Sequence, residues 1–157
     1  ARQVIIPNIE EEGQEKLLNT NCLIVGAGGL GCPVALYASA AGFGHIEIYD
    51  QDIIEISNLN RQIAHKNDHI GNNKAENLVE ECKRINPNIS IISQKKIFDK
   101  TIDISNFDLI FDCSDNPKTK YILKRGRTVF CYIQMVISLL ICHVEDNPRI
   151  HDFQIYF

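Results

Sequence analysis

Val25-Gly26-Ala27-Gly28-Gly29-Leu30-Gly31 is the stretch that decides the fold of this chain. The apolar residues 22–25 before it have the length and composition of a buried parallel strand. Residues 30–41 after it are mostly small and apolar and predict a well-packed helix. Between a strand and a helix, G-x-G-x-x-G is typical of phosphate binding: Gly26 permits a tight turn, Gly28 lets the backbone approach a phosphate, and Gly31 allows close helix–strand packing.

The start of this predicted helix is suited to an anion. Its first turn contains no Asp or Glu, so its unpaired N–H groups and the positive end of its dipole are left for a ligand. The motif does not identify the nucleotide, and a glycine turn that binds nothing is the alternative.

The composition indicates one globular domain. The chain has 157 residues, of which 45% are hydrophobic and 23% are charged. Its net charge of -4 argues against a general nucleic-acid binder, which carries a basic face. The six cysteines form no C-x-x-C pair, which favours free thiols in a reducing compartment, and we expect a cytoplasmic protein without a signal peptide. The abrupt start at Ala1 suggests that residues precede it.

The remaining chain alternates between predicted strands and helices. We expect helices at 11–18 and from Lys74 to Ile85, strands at 45–50, 89–93 and 109–111, a short helix or loop at 99–107, and a helix from 116. The alternation predicts an α/β protein with a Rossmann-like, mostly parallel sheet and helices on both faces. We expect a single domain, 1–157, made of an N-terminal segment 1–20, a nucleotide-binding core 21–123 and a tail 124–157.

Acidic residues follow two of the predicted strands. Asp50 comes 19 residues after Gly31, near the spacing of about 20 at which an acid meets ribose hydroxyls. A turn residue at the strand end is the alternative, and Asp52 fits either interpretation. Asp115 follows the strand at 109–111, and it is a candidate Mg²⁺ ligand, directly or through water. Its alternative role is to cap the next helix.

Two cations and a histidine pair complete the candidate residues. Arg61 lies in the polar run 57–62, which predicts a loop beside the strand ends. Lys74 lies in the first turn of a predicted helix capped by Asn72 or Asn73, where a cation opposes the dipole by about 0.3–1 kcal/mol. A nearby anion would remove this conflict, and a surface lysine is the alternative. His65 and His69 have a metal-site spacing but no helical face, so we do not expect a metal there.

In order and spacing, these residues resemble the ThiF/MoeB/HesA family of adenylating enzymes, which are related to the ubiquitin-activating enzyme. The matching motifs are residues 26–31, 50–52, 57–62, Gly71 with Lys74, 85–87 and 112–116. The similarity runs from about residue 2 to residue 121. It is strongest to the MoeB and molybdopterin-synthase-sulfurylase branch, which serves small ubiquitin-like sulfur carriers.

The resemblance implies ATP-dependent adenylation of a carrier's C-terminal glycine carboxylate, with release of pyrophosphate. It implies that the nucleotide is bound by Gly26, Gly28, Gly29, Gly31, Asp50, Asp52, Asn58 and Gln62, and that the reaction depends on Arg61, Lys74, Asp115 with Mg²⁺, and Arg2. Asp50 would contact the ribose, and Asn58, Arg61 and Lys74 the phosphates. Arg2 would reach into the active site of the partner subunit of a homodimer. A carboxylate is ionised at neutral pH, so the reaction needs charge neutralisation and positioning but no general base.

The sequence departs from the family after Tyr121. Family members continue to two C-x-x-C pairs that bind structural zinc, and these ligands are absent here. Residues 129–144 form an apolar run shorter than the ~20 residues of a membrane span. They predict one or two buried strands, with an exposed aggregation-prone segment as the alternative. Cys131 and Cys142 are expected to be buried structural thiols rather than transfer nucleophiles.

Two other functions fit part of the pattern. An NAD(P)-dependent oxidoreductase would also have the glycine motif and Asp50. A catalytically incomplete nucleotide-binding fragment is the other alternative, since the zinc region is missing. We expect neither a nucleic acid nor a membrane as partner.

Overall fold

The computed structural model describes residues 3–7, 9–123 and 129–131. Along this part of the chain the helices are α1 (Glu10–Leu18), α2 (Gly31–Ala41), α3 (Lys74–Ile85) and α4 (Pro117–Leu123). The strands are β1 (Asn21–Val25), β2 (His45–Tyr49), β3 (Ser90–Gln94), β4 (Leu109–Asp112) and β5 (Val129–Cys131). Single 3₁₀ turns at Ile56–Asn58 and Asn67–His69 lie in the connection from β2 to α3.

The five strands form one parallel sheet in the order β3-β2-β1-β4-β5. Val25 at the end of β1 is in register with Tyr49 of β2 and with Asp112 of β4, so three strands end level. The chain moves outward from β1 to β2 and β3, then returns to the other side of β1. The carboxyl end of β1 is therefore the switch point, where the strand order reverses. Open α/β sheets bind ligands beside this point. The predicted Rossmann-like fold is confirmed.

Both faces of the sheet are covered. Ile24 of β1 belongs to one apolar cluster, which includes Leu78 and lies under α2 and α3. Leu23, on the opposite face, belongs to a second cluster with Phe98 and with Leu123 of α4. Because β1 is buried on both sides, its sequence is a continuous apolar run rather than an alternating one.

The helix and strand bounds differ from the sequence prediction in a few places. No helix forms between β3 and β4, so this irregular connection covers the second face, with Phe98 packed edge-to-face on Tyr49 at 5.4 Å between ring centroids. Ile85 continues the apolar helical spacing of Leu78 and Cys82, but it is 48% exposed at the last turn, before Asn86 ends the helix. β5 confirms a strand at the start of the apolar run, whereas the rest of the run and Cys142 lie outside the described residues.

Within the described segments, no helix has both the length and the apolar character needed to span a membrane.

Candidate active site

Two of the four glycines in the turn are required by close packing. Gly26 has a φ of +103°, and a Cβ placed on it would lie 2.7 Å from the carbonyl oxygen of Cys113. A Cβ on Gly31 would lie 1.8 Å from the carbonyl oxygen of Gly26. The expected tight turn and close helix–strand contact are both confirmed.

The other two glycines have room for a Cβ in ordinary van der Waals contact. The nearest atom to a Cβ on Gly28 would be Gln62 Nε2 at 3.6 Å, and on Gly29 it would be Arg61 Cγ at 3.5 Å. Neither residue has a left-handed φ. The chain's own packing therefore does not require glycine at these positions. The missing side chains leave a cradle beside backbone N–H groups at the start of α2, which suits a phosphate.

Asp50 joins the end of β2 to this turn. Its Oδ2 accepts a hydrogen bond from the Ala27 N–H at 2.7 Å, and its Oδ1 accepts one from the Asp52 N–H at 2.8 Å. Burial raises the pKa of the Asp50 carboxyl, and the two backbone N–H donors act in the opposite direction. Each oxygen retains a lone pair, so the carboxylate can still accept from a ribose hydroxyl.

Lys74 is buried at the start of α3 and forms an ion pair. Its side chain is 9% exposed, and its Nζ lies 3.1 Å from Asp52 Oδ2. The backbone holds the two together, since Lys74 N–H donates to the Asp52 carbonyl at 2.9 Å. Asn73, not Asn72, caps the helix by accepting from Glu76 N–H. The alternative of a surface lysine is wrong, because the side chain is buried. In this structure the Asp52 carboxylate is the anion that offsets the unfavourable interaction of the Lys74 ammonium with the positive end of the α3 dipole.

The connection from β2 to α3 brings Arg61 and Gln62 to the cradle. The Asn58 carbonyl accepts hydrogen bonds from the N–H groups of both residues, and Asn58 Oδ1 accepts from Glu55 N–H. Arg61 Nη1 donates to the Ser57 carbonyl at 3.1 Å, which leaves further guanidinium N–H groups for a ligand. Gln62 is buried, and its Oε1 has no hydrogen-bond partner in the described part of the chain.

Asp115 lies in the loop after β4, at the same edge of the sheet. The Cys113 N–H donates to the Val25 carbonyl at 2.9 Å and holds this loop against the end of β1. Asp115 is exposed, and Asn116 occupies the capping role at α4, because its Oδ1 accepts from Lys118 N–H at 2.9 Å.

The described residues include no group of three or more His, Cys, Asp or Glu side chains arranged for a metal. One exposed carboxylate at the same edge of the sheet as the glycine turn fits Mg²⁺, which is commonly held by one or two carboxylates and the substrate phosphates. His65 and His69 form no metal pair, because both ring nitrogens of His65 have other partners, Ala27 and Asn77. Sequence reasoning missed this role of His65, and only its apolar neighbour Ala64 hinted at burial.

The structure thus gathers most of the predicted site residues at the carboxyl edge of β1, β2 and β4. Arg2 lies outside the described residues. Cys32 and Cys113, which flank the residues of the site, are both buried in the core.

Comparisons with known proteins agree with this geometry. Adenylyltransferase and sulfurtransferase uba4 of Aspergillus niger is 44% identical over 125 residues, which are 78% of this chain and 26% of that protein. Adenylyltransferase and sulfurtransferase MOCS3 of Dictyostelium discoideum is 43% identical over 125 residues, 78% of this chain and 29% of that protein. The chain therefore spans less than a third of the length of these relatives.

Solved structures show the same fold with nucleotides bound. E. coli tRNA N6-threonylcarbamoyladenosine dehydratase in complex with AMP has a TM-score of 0.69 at 25% identity, over 73% of this chain and 48% of that chain. E. coli MccB with ATP has a TM-score of 0.61 at 33% identity, over 66% of this chain and 32% of that chain. The ThiF family matches residues 1–136. The match includes the glycine turn, the acids and the cations that meet at the switch point, and the chain belongs to the ThiF family.

Proposed function

We propose that this chain is the ATP-binding adenylation domain of an enzyme that activates the C-terminal glycine carboxylate of a ubiquitin-like sulfur-carrier protein. The observation that carries the proposal is the cradle at Gly28 and Gly29, where the chain's own packing does not require glycine and the Arg61 side chain lies beside Gly29. The relatives named adenylyltransferase and sulfurtransferase support the reaction class. The similarity to MccB with ATP supports the nucleotide.

The proposed reaction is an in-line displacement at the α-phosphate. A carboxylate oxygen of the carrier forms a bond to the α-phosphorus while the bond from that phosphorus to the bridging oxygen breaks, and pyrophosphate leaves. The nucleophile carries its charge already, so no side chain needs to remove a proton. Arg61 and Lys74 neutralise charge on phosphate oxygens, the N–H groups of the cradle bind the phosphates, and Asp50 accepts from the ribose. Lys74 exchanges Asp52 for phosphate as its anionic partner.

Several finer assignments belong to the same proposal. Asp115 would hold Mg²⁺, which neutralises phosphate charge and orients pyrophosphate as the leaving group. The enzyme would be a cytoplasmic homodimer in which Arg2 completes the partner's site. We propose no zinc site for these residues, because the sequence has no C-x-x-C pair.

Two cations beside the glycine turn favour a triphosphate over a dinucleotide. A hydride-transfer site needs neither Lys74 nor Arg61 for its chemistry, although it would use the same turn and Asp50. A thermal-shift titration with MgATP and with NAD separates these functions, and we expect only MgATP to raise the melting temperature. Carrier-dependent exchange then separates an enzyme from a nucleotide-binding fragment.

The decisive experiment is ATP–pyrophosphate exchange with radiolabelled pyrophosphate and a candidate carrier. We expect Arg61→Ala and Lys74→Ala each to lower the exchange rate about a hundredfold, equivalent to about 3 kcal/mol of transition-state stabilisation. Arg84→Ala is the matched control, because Arg84 is an exposed cation in the last turn of α3. Undiminished exchange in both site variants would rule out their assigned roles.

A further inference from the structure

His65 is buried beneath the glycine turn and hydrogen-bonded through both ring nitrogens. Only 5% of the residue is exposed. Its Nε2 lies 3.0 Å from the Ala27 carbonyl oxygen, and its Nδ1 lies 2.9 Å from Asn77 Nδ2. A carbonyl can only accept and an amide NH₂ can only donate, so the imidazole is neutral, with its proton on Nε2.

Asn77 fixes this arrangement from α3. Its Nδ2 also donates to the Ala64 carbonyl at 3.2 Å, so both amide hydrogens point to acceptors. The Asn77 Oδ1 is buried and has no hydrogen-bond partner among the described residues. The amide is therefore oriented to hold His65 even though this leaves its own oxygen unsatisfied.

Ala27 is consequently held on both of its peptide groups. Asp50 accepts from its N–H at 2.7 Å, in the peptide from Gly26. His65 donates to its carbonyl oxygen at 3.0 Å, in the peptide to Gly28, where the Cys32 thiol is a weaker and longer donor at 3.5 Å. In a trans peptide the N–H points opposite to the C=O, and no cis peptide occurs among the described residues. Because the Ala27 carbonyl points inward at His65, the Gly28 N–H points outward. The Gly28 carbonyl in turn accepts from Cys32 N–H at 3.0 Å, so the Gly29 N–H also points away from the helix.

This anchor matters because the cradle lacks side chains. Glycine rotates about its backbone more freely than any other residue, so nothing in Gly28 itself keeps its peptide plane in one orientation. We propose that His65, held by Asn77, is a positioning residue that aims the Gly28 N–H at the phosphates of the nucleotide. His65 does not touch the nucleotide, and the inference rests on the proposed function.

Two substitutions separate the two hydrogen bonds of the ring. In His65→Gln, the side-chain Nε2 reaches the place of the imidazole Nε2 and keeps a donor to Ala27. In His65→Asn, the shorter side chain keeps an acceptor for the Asn77 amide but no longer reaches the Ala27 carbonyl, so that hydrogen bond is lost. Both variants remove the ring from the same buried place, and because Asn is one methylene shorter than Gln, the stability of each is measured so that a purely structural role shows as a loss of affinity that follows the loss of stability.

The test measures MgATP affinity by calorimetry, exchange activity and urea stability on the full chain. We expect His65→Asn to raise the Kd for MgATP about tenfold and lower kcat for exchange, with the KM for carrier unchanged. We expect His65→Gln to stay within about threefold of wild type. Wild-type affinity in His65→Asn, or equal losses in both variants that follow their loss of stability, would overturn the proposal.

A nucleotide-free readout distinguishes this proposal from the proposed function. The ¹³C shift of the Ala27 carbonyl and the ¹⁵N shift of the Gly28 amide should change in His65→Asn and stay near wild type in His65→Gln. Unchanged shifts in His65→Asn would show that the anchor does not exist. A wild-type chain that does not bind MgATP would instead refute the proposed function, whatever the shifts show.

Discussion

Alanine at Gly31 and alanine at Gly28 should have opposite consequences, although the two residues are only three positions apart in the chain. A Cβ at Gly31 would lie 1.8 Å from the Gly26 carbonyl oxygen and 2.8 Å from its carbonyl carbon. Real Cβ contacts are almost never shorter than 3.0 Å, so backbone must move by more than 1 Å. No flexible side chain is available to absorb this movement.

The expected loss for Gly31→Ala lies at the upper end of overpacking effects, about 3 kcal/mol. This is a large part of the 5–15 kcal/mol by which a typical domain is stable, and it corresponds to a fall in Tm of roughly 6–12 °C. Gly28→Ala meets its nearest atom, Gln62 Nε2, at 3.6 Å and has no left-handed φ. Its stability should stay within about 0.5 kcal/mol of wild type.

For MgATP binding, in contrast to stability, alanine at Gly28 should have the larger effect of the two substitutions. The Gly28→Ala methyl group would occupy the cradle beside the N–H groups that we assign to phosphate. We expect the Kd for MgATP to rise at least about tenfold, which is 1.4 kcal/mol or more. Urea unfolding followed by circular dichroism measures the first effect, and calorimetry measures the second. An unchanged Kd in Gly28→Ala would refute the cradle, and wild-type stability in Gly31→Ala would refute the close contact.

Three further perturbations test other parts of the site. Asp52→Asn removes the anion beside the buried Lys74 ammonium, and because Asp52 is half exposed, urea unfolding should show a loss of only about 0.5–1 kcal/mol. Burial lowers the pKa of His65 below its usual 6.5, so the stabilisation of wild type relative to His65→Gln should be fully present above pH 6.5. Below that pH the difference in free energy of unfolding should decline by at most about 1.4 kcal/mol per pH unit, and it should be lost as pH falls through the folded-state pKa of His65. A difference that does not depend on pH would contradict a neutral buried ring. Burial raises the pKa of the Cys32 and Cys82 thiols to about 11, so mass spectrometry should find them alkylated by iodoacetamide only in denaturant, and rapid native labelling would show that they are accessible.

Local patterns predicted most of the fold. The glycine turn, the apolar run of β1 and the amphipathic spacing of α3 are properties of short stretches, and each gave the correct element within one or two residues. The acids at the strand ends were predicted to lie in the ligand-binding region because open α/β sheets bind ligands at the carboxyl ends of their parallel strands. The segment between β3 and β4 had no clear period, so the sequence left open a short helix or a loop at 99–107, and the structure shows the loop.

The sequence by itself determined the parallel sheet, the glycine turn and the presence of two cations and three acids at the carboxyl edge of the strands. The tertiary structure alone decided which atoms meet. Lys74 faces Asp52, from 22 residues away along the chain, and His65 anchors Ala27, from 38 residues away. Hydrogen bonds and ion pairs act over about 3 Å, and no periodicity in the sequence encodes which distant atoms come that close. Only the packing of α2 and α3 on the sheet brings a histidine from a polar loop beneath the glycine turn.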